Sequence, residues 1–277
     1  MSRKLLAFLA HPDDESFGSG GTLAKYAREG VDVHIVIATD GAAGSVEEAY
    51  AEQRTQLAEV RAGELERAVA VLGGTLHRLD YRDSGYKNDE PNNSHPDAFI
   101  NADMDEAVGK MVRLLREIRP QVVITHDETG GYFHPDHIQC YEVMSRAFVK
   151  AGDPNYEDGL APYRPDRLYY TALPNTAIRF FTFLIRLRGG DPTRQGRNQD
   201  IDMTALGQPP SKIHARIDVR DSWDIKQQAS AEHGSQGGGG FARRVPKFMA
   251  KWVFGREHFM RGHPEAVDGF RETDLFA

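Results

Sequence analysis

The feature that most restricts the fold is a regular alternation of short apolar runs with longer amphipathic ones over residues 4–150. Lys4–Ala10, Val31–Ala38, Thr75–Leu79 and Val122–Thr125 read as strands, and Gly20–Glu29, Val46–Leu72, Asp103–Ile118 and Pro135–Lys150 as helices. Val31, Val33, Ile35 and Ile37 share one face of their strand, while Val108, Met111, Val112 and Leu115 recur at helical spacing. Gly30 and Gly73-Gly74 end helices, and Pro135 stands near the start of one. Parallel strands need a crossover between neighbours, so this order predicts a mainly parallel sheet in an α/β protein with helices on both faces.

The second half is less regular. Arg167–Ala172 and Ile213–Val219 read as strands, Ser222 as the cap of a helix running to Glu232, and Thr193–Pro210 as a polar loop. Gln236–Gly240 carries four glycines in a row and reads as a hinge. Residues 1–277 form one domain in this reading, with a core over 1–172 and a C-terminal α+β extension over 173–277 that reaches across the active site. Within it, residues 174–212 suit a lid, an insertion over the site or a contact between copies in a homo-oligomer.

Composition removes several classes. Cys140 is the sole cysteine, so intramolecular disulfides and multi-cysteine metal sites are excluded. With 34 Lys+Arg against 41 Asp+Glu the chain is acidic, which argues against a nucleic-acid partner. Leu5–Ala10 is too short for a signal peptide, and Ile178–Leu187 is about half the ~20 residues of a membrane span, so a soluble, cytoplasmic protein is expected.

Chemistry concentrates in two segments. The first, Phe8-Leu-Ala-His-Pro-Asp-Asp-Glu15, runs from a strand into an imidazole and three acids. His11 and Asp14 can turn inward as metal ligands, with Asp13 beside an activated water; alternatively Asp13 and Asp14 cap the next helix. The second, His126-Asp-Glu-Thr-Gly-Gly-Tyr-Phe-His-Pro-Asp-His137, also lies between a strand and a helix. A third His-Pro-Asp, at 95–97, lacks a preceding strand and reads as a turn. Together the two segments offer His11, Asp14 and His137 as three ligands with an open position, the pattern of catalytic zinc. Asp13 is then the general base; His134, oriented by Asp136, an acid or oxyanion partner; and Tyr132 an oxyanion contact. These parts suit amide hydrolysis. Gly18-Ser-Gly-Gly21 lacks the last glycine of a dinucleotide loop and suits a close helix–strand contact or a substrate-facing turn, and Cys140 reads as a small buried side chain.

At these residues the chain resembles the PIG-L/LmbE-like metal-dependent de-N-acetylases, whose His-Pro-Asp-Asp-Glu and Gly-Gly-Tyr-x-His-Pro-Asp-His segments stand here as His11–Glu15 and Gly130–His137. The likeness covers roughly residues 4–150, with a late strand at 168–170 and a late helix at 229–236. It implies a Rossmann-like fold and zinc-dependent removal of the acetyl group from an N-acetylglucosamine derivative, a small-molecule amino-sugar substrate. It also implies that Arg61 approaches the sugar or its substituent and that Asp83 holds sugar hydroxyls. The wording of the segments is closest to mycothiol-pathway deacetylases and mycothiol-conjugate amidases, with bacillithiol-pathway deacetylases also open.

Competing readings follow from the same residues. Cleavage of a glucosaminyl thiol-conjugate amide needs the same site. Two histidines and a carboxylate with open positions also describe a non-haem iron oxygenase, and Fe2+ or another divalent metal suits these ligands as Zn2+ does. A non-catalytic sugar-binding protein would have no use for Asp13 and His134 beside an open metal site.

Overall fold

The computed structural model describes residues 2–196, 199–238 and 247–277. Its centre is a seven-stranded sheet in the order β3-β2-β1-β4-β5-β7-β6. The strands are β1 (Lys4–Leu9), β2 (Asp32–Thr39), β3 (Thr75–Tyr81), β4 (Val122–Thr125), β5 (Arg167–Thr171), β6 (Ala215–Asp218) and β7 (Arg256–His263). β1 to β5 pair in parallel; β7 pairs antiparallel with β5 and with β6. The long helices are α1 (Gly20–Arg28), α2 (Leu57–Leu72), α3 (Met104–Ile118), α4 (Pro135–Lys150), α5 (Asn175–Leu187), α6 (Trp223–Glu232) and α7 (Lys247–Phe254).

Period-two side chains divide β1 between two cores. Leu5, Ala7 and Leu9 pack with residues of α1, α2 and α6 on one face; Leu6, Phe8 and Ala10 pack with α3 and α4 on the other. Helices therefore cover both faces, as the alternation predicts. Cys140 is fully buried in the second core, and burial pushes its thiol up, as a structural cysteine requires. Gly21 makes the expected close approach: a Cβ there would lie 2.7 Å from Val219 Cβ.

Some boundaries differ from expectation. Val46–Leu72 is not one helix: Glu48–Gln56 is a 3-10 turn with no buried residue, and α2 begins at Leu57, the first apolar side chain to reach the core. Ser222 precedes α6 but makes no side-chain cap; its hydroxyl donates to Gly21 O at 2.6 Å and ties α6 to α1. The C-terminal part is not a separate extension, because its strands β6 and β7 complete the sheet. Glu257 of β7 accepts from the Gly21 and Thr22 amides and from Lys226, joining this edge to the start of α1. Of the glycine run, Gly237 and Gly238 adopt positive φ, and Gly239-Gly240 lie outside the described residues. Among the described residues no helix is long and apolar enough to cross a membrane.

Candidate metal centre and active site

From β3, the chain returns across the sheet to β4, which pairs with β1 on the side opposite β2. The strand order thus reverses between β1 and β4, and ligand sites of open α/β sheets form beyond the strand C-termini at such a crevice. β1 delivers His11–Glu15 there, β4 delivers His126 and the loop to His137, and β3 leads to Asp83. A cavity of about 340 Å³ opens at this point, lined among others by His11, Asp13, Arg61, Asp83, Tyr132 and His134.

His11, Asp14 and His137 converge. His11 Nδ1 lies 3.1 Å from His137 Nε2, and Asp14 Oδ2 lies 3.6 Å from the first and 3.4 Å from the second. Tetrahedral ligands at bond lengths of about 2.0–2.1 Å stand roughly 3.3 Å apart, so this triangle has the dimensions of one face of a metal site. The far nitrogens are also engaged. His137 Nδ1 lies 3.1 Å from Gly130 O, and His11 Nε2 lies 3.2 Å from Asp136 Oδ2 and 3.5 Å from Asp83 Oδ1. In a neutral ring these acceptors favour the proton on the outer nitrogen, so the inner nitrogens face the triangle as candidate ligand atoms. Burial lowers His11, but Asp83, Asp136 and Asp14 outweigh it and raise the ring well above the usual imidazole range, so a cation bound there would displace a proton. Gly130 is required locally: its φ is +61°, and a Cβ would sit 2.8 Å from His137 Cβ.

Asp13 stands beside the triangle in a strained conformation, φ +133°, held by its amide donating to Glu15 Oε2 at 2.9 Å and by Arg61 Nη2 at 3.1 Å from its Oδ2. A non-glycine residue there costs on the order of 1–3 kcal/mol and persists only under such restraint. Burial pushes its carboxyl up to about 6 against the pull of Arg61, a value suited to taking up and returning a proton near neutrality. Burial also raises Asp14, but His137, His11 and His126 outweigh it and keep that carboxyl well below the usual range. Burial, reinforced by the charge of His11, holds His134 down to about 3, so its ring is neutral. His134 Nδ1 accepts from the Asp136 amide at 3.2 Å, which places the remaining proton on Nε2.

The structure corrects one role. The Asp136 carboxylate does not orient His134; it accepts from Ser84 N at 3.0 Å and faces His11, and only its backbone amide meets His134. Asp136 stands in the first turn of α4, where its side chain meets His11 and Ser84. Asp83 lies against His11 too, with its carboxylate accepting from Gly85 N and Ala43 N. Arg61 lines the cavity, but its amino groups are spent on Pro12 O, Gly41 O and Asp13. Tyr132 stands edge-on to His137 and His134, at ring centroids of 5.0 Å and 5.7 Å. His95 is elsewhere, its Nδ1 accepting from Asp97 N in an exposed turn, as expected of the third His-Pro-Asp.

Two contributors were missed. His126 stacks on His137 at 3.8 Å between centroids, and its Nε2 lies 3.5 Å from Asp14 Oδ2. Its place as the first residue after β4 was the available signal. Glu15 is fully buried and meets His233 of the loop after α6 at 2.7 Å, so the late segment braces the loop that carries Asp13.

Comparison with known proteins accords with this geometry. Residues 6–148 match the family model described as PIG-L, GlcNAc-PI de-N-acetylase. The chain belongs to the PIG-L family. A 1D-myo-inositol 2-acetamido-2-deoxy-alpha-D-glucopyranoside deacetylase of Thermobifida fusca is 38% identical over 292 aligned residues, covering 99% of each chain. The expected membership thus holds, and with it the activity: removal of the acetyl group from an N-acetylglucosamine derivative. Among solved PIG-L-like folds, the N,N'-diacetylchitobiose deacetylase of Pyrococcus horikoshii superposes with a TM-score of 0.63 at 22% identity, covering 94% of this chain and 84% of that one. The 4-carboxy-2-hydroxymuconate hydratase of Pseudomonas putida reaches 0.62 at 17% identity, covering 97% and 99%. At these identities the likeness concerns the fold alone.

Proposed function

We propose that this PIG-L member deacetylates an N-acetylglucosaminyl glycoside of inositol or a similar neutral polyol, with zinc held by His11, Asp14 and His137. The observation that carries this reading is Asp13, strained at φ +133° and lining the same cavity as His11. The donor set, two neutral imidazoles and one carboxylate, suits zinc and also ferrous iron. The bound cation supplies electrophilic polarisation of the acetyl carbonyl and a more acidic water. The remaining steps belong to the chain's own side chains. Asp13 takes the proton of the attacking water and returns it to the departing amine, which its position near neutrality favours. His134 stays neutral and donates from Nε2 to the developing oxyanion, and Tyr132 lines the same wall. Asp136 and Asp83 position His11, and Arg61 positions Asp13. A cytoplasmic location belongs to the same proposal.

The test is acetate release from the inositol glycoside and from N,N'-diacetylchitobiose, with zinc and ferrous protein run in parallel. Chelation should abolish turnover and zinc restore it. Asp13→Asn should lose about 10²–10⁴-fold in kcat while keeping one equivalent of metal. Full turnover in that variant would remove Asp13 from the mechanism.

A further inference from the structure

Far from the metal triangle in chemistry, α5 and α7 share a surface the deacetylase reaction does not use. Phe181 of α5 stacks on Phe254 of α7 with ring centroids 6.2 Å apart and planes 2° apart, and Phe254 stacks in turn on buried Trp223 at 6.3 Å. This aromatic column fixes the two helices side by side. Outside it, Phe180, Phe183 and Leu187 are 58%, 60% and 71% exposed, and Trp252 of α7 is 85% exposed. The spacing 176, 180, 183, 187 places the α5 residues on one stripe, while Ile178 and Thr182 on the opposite side are buried. Monomeric proteins rarely leave so many large apolar side chains together in water.

Charge selects the occupant. Residues 175–188 contain Arg179, Arg186 and Arg188, all exposed, and no acid, in a chain whose net charge is −7. Lys251 lies on α7 next to Trp252, with Asp224 at 3.4 Å from its Nζ, and Asp191 lies near Arg186 and Arg194. An apolar stripe of Phe, Leu and Trp flanked by arginines is the pattern of a helix that lies in a bilayer interface with its basic rim on lipid phosphates. A second copy on the same stripe would set the arginine rows against each other with no acid on either helix to pair them.

We propose that the α5–α7 face docks on an anionic lipid surface, seating Phe180, Phe183, Leu187 and Trp252 below the headgroups. Asp200 and Ile201, which follow α5 in the chain, are among the residues that line the catalytic cavity.

The experiment is sedimentation of the whole protein with phosphatidylcholine vesicles, with or without 30 mol% phosphatidylglycerol, at low and high salt, while following tryptophan emission. Binding should require phosphatidylglycerol, weaken with salt and shift the emission of Trp252 to the blue. Each basic residue near the surface contributes about fivefold, so the double variant Arg179→Gln/Arg186→Gln should bind roughly thirtyfold more weakly. Phe180→Ser/Phe183→Ser should lose binding, and both variants should keep full turnover of a water-soluble substrate. Absence of binding to either vesicle, or equal binding to both, overturns the proposal. So does a protein dimer that Phe183→Ser dissociates without any vesicle binding, which would assign the stripe to a second copy.

Discussion

Replacing Gly130 by alanine should weaken metal binding through a single contact, and the neighbouring glycine provides the control. Gly130 has φ +61° and Gly131 has φ +73°, so alanine at either position pays the left-handed cost, about 1–2 kcal/mol. Their surroundings differ. A Cβ on Gly130 would lie 2.8 Å from His137 Cβ and 3.2 Å from Ile138 Cγ1, whereas a Cβ on Gly131 has nothing within 4 Å. Ordinary contact begins at 3.4 Å, so 0.6 Å must be found at residue 130, the difference between 3.4 and 2.8 Å. The carbonyl of Gly130 is also the acceptor that fixes His137 Nδ1, so a shift there disturbs the ring twice. Functional constellations tolerate about 0.5 Å, and disturbing a partner of a metal-bound histidine typically costs 10–100-fold in affinity. Gly130→Ala should therefore bind zinc about 10–100-fold more weakly, read by competition with a chromophoric chelator. Gly131→Ala should keep wild-type affinity while losing a similar 1–2 kcal/mol in denaturant unfolding of the chelated protein. Equal zinc affinity in the two variants would refute the argument that contact with His137, and not backbone strain, is what Gly130 relieves.

Two further outcomes follow. Asp136→Asn keeps an acceptor for Ser84 N but removes the charge facing His11 Nε2 at 3.2 Å, so zinc affinity should fall about tenfold or more; unchanged affinity would return Asp136 to the role of orienting His134. His258 of β7 is held down to about 4 by burial, with Arg216 beside it. The folded state therefore prefers the neutral ring: its contribution is complete above pH ~6.5 and is lost as pH falls toward 4. Discounted for partial exposure, the loss is about 2 kcal/mol, so His258→Gln should flatten the decline of unfolding free energy between pH 6.5 and 4; a parallel decline would refute it.

The legibility of the chain tracks how far each signal is local. Parallel strands buried on both faces are continuous apolar runs, so β1, β2 and β4 could be read directly, as could α4 with its proline start. β7 escaped because its inward residues alternate with Arg256 and His258, and one of the inward residues is Glu257, buried only because Lys226 and the start of α1 satisfy it. No window of sequence around Glu257 shows that partner. That His11, Asp14 and His137 meet was readable since each sits at a strand-to-helix junction. Asp136 was misassigned for the opposite reason: proximity in sequence to His134 suggested a pairing, while helix geometry turned its carboxylate toward residue 11. The same holds for Arg61, whose interior position depends on Gly41 and Gly44; a Cβ at either would strike its guanidinium.

Fold likeness alone would not have decided the chemistry, since a hydratase superposes on this chain as well as a deacetylase does. What separates the readings is the way protons are assigned around the crevice. His11 and His137 each set their outer nitrogen against an acceptor, which turns their inner nitrogens toward each other and toward Asp14 Oδ2. His134 gives up its Nδ1 lone pair to a backbone amide, which leaves a proton and no charge on the cavity side. Asp13 is the exception, held at a strained backbone angle by Arg61 and Glu15 and raised to a pKa of about 6 by burial, against the pull of Arg61. A binding protein gains nothing from a strained carboxylate of that pKa beside an open ligand triangle, whereas hydrolysis of an amide needs one group that accepts a proton early and returns it late.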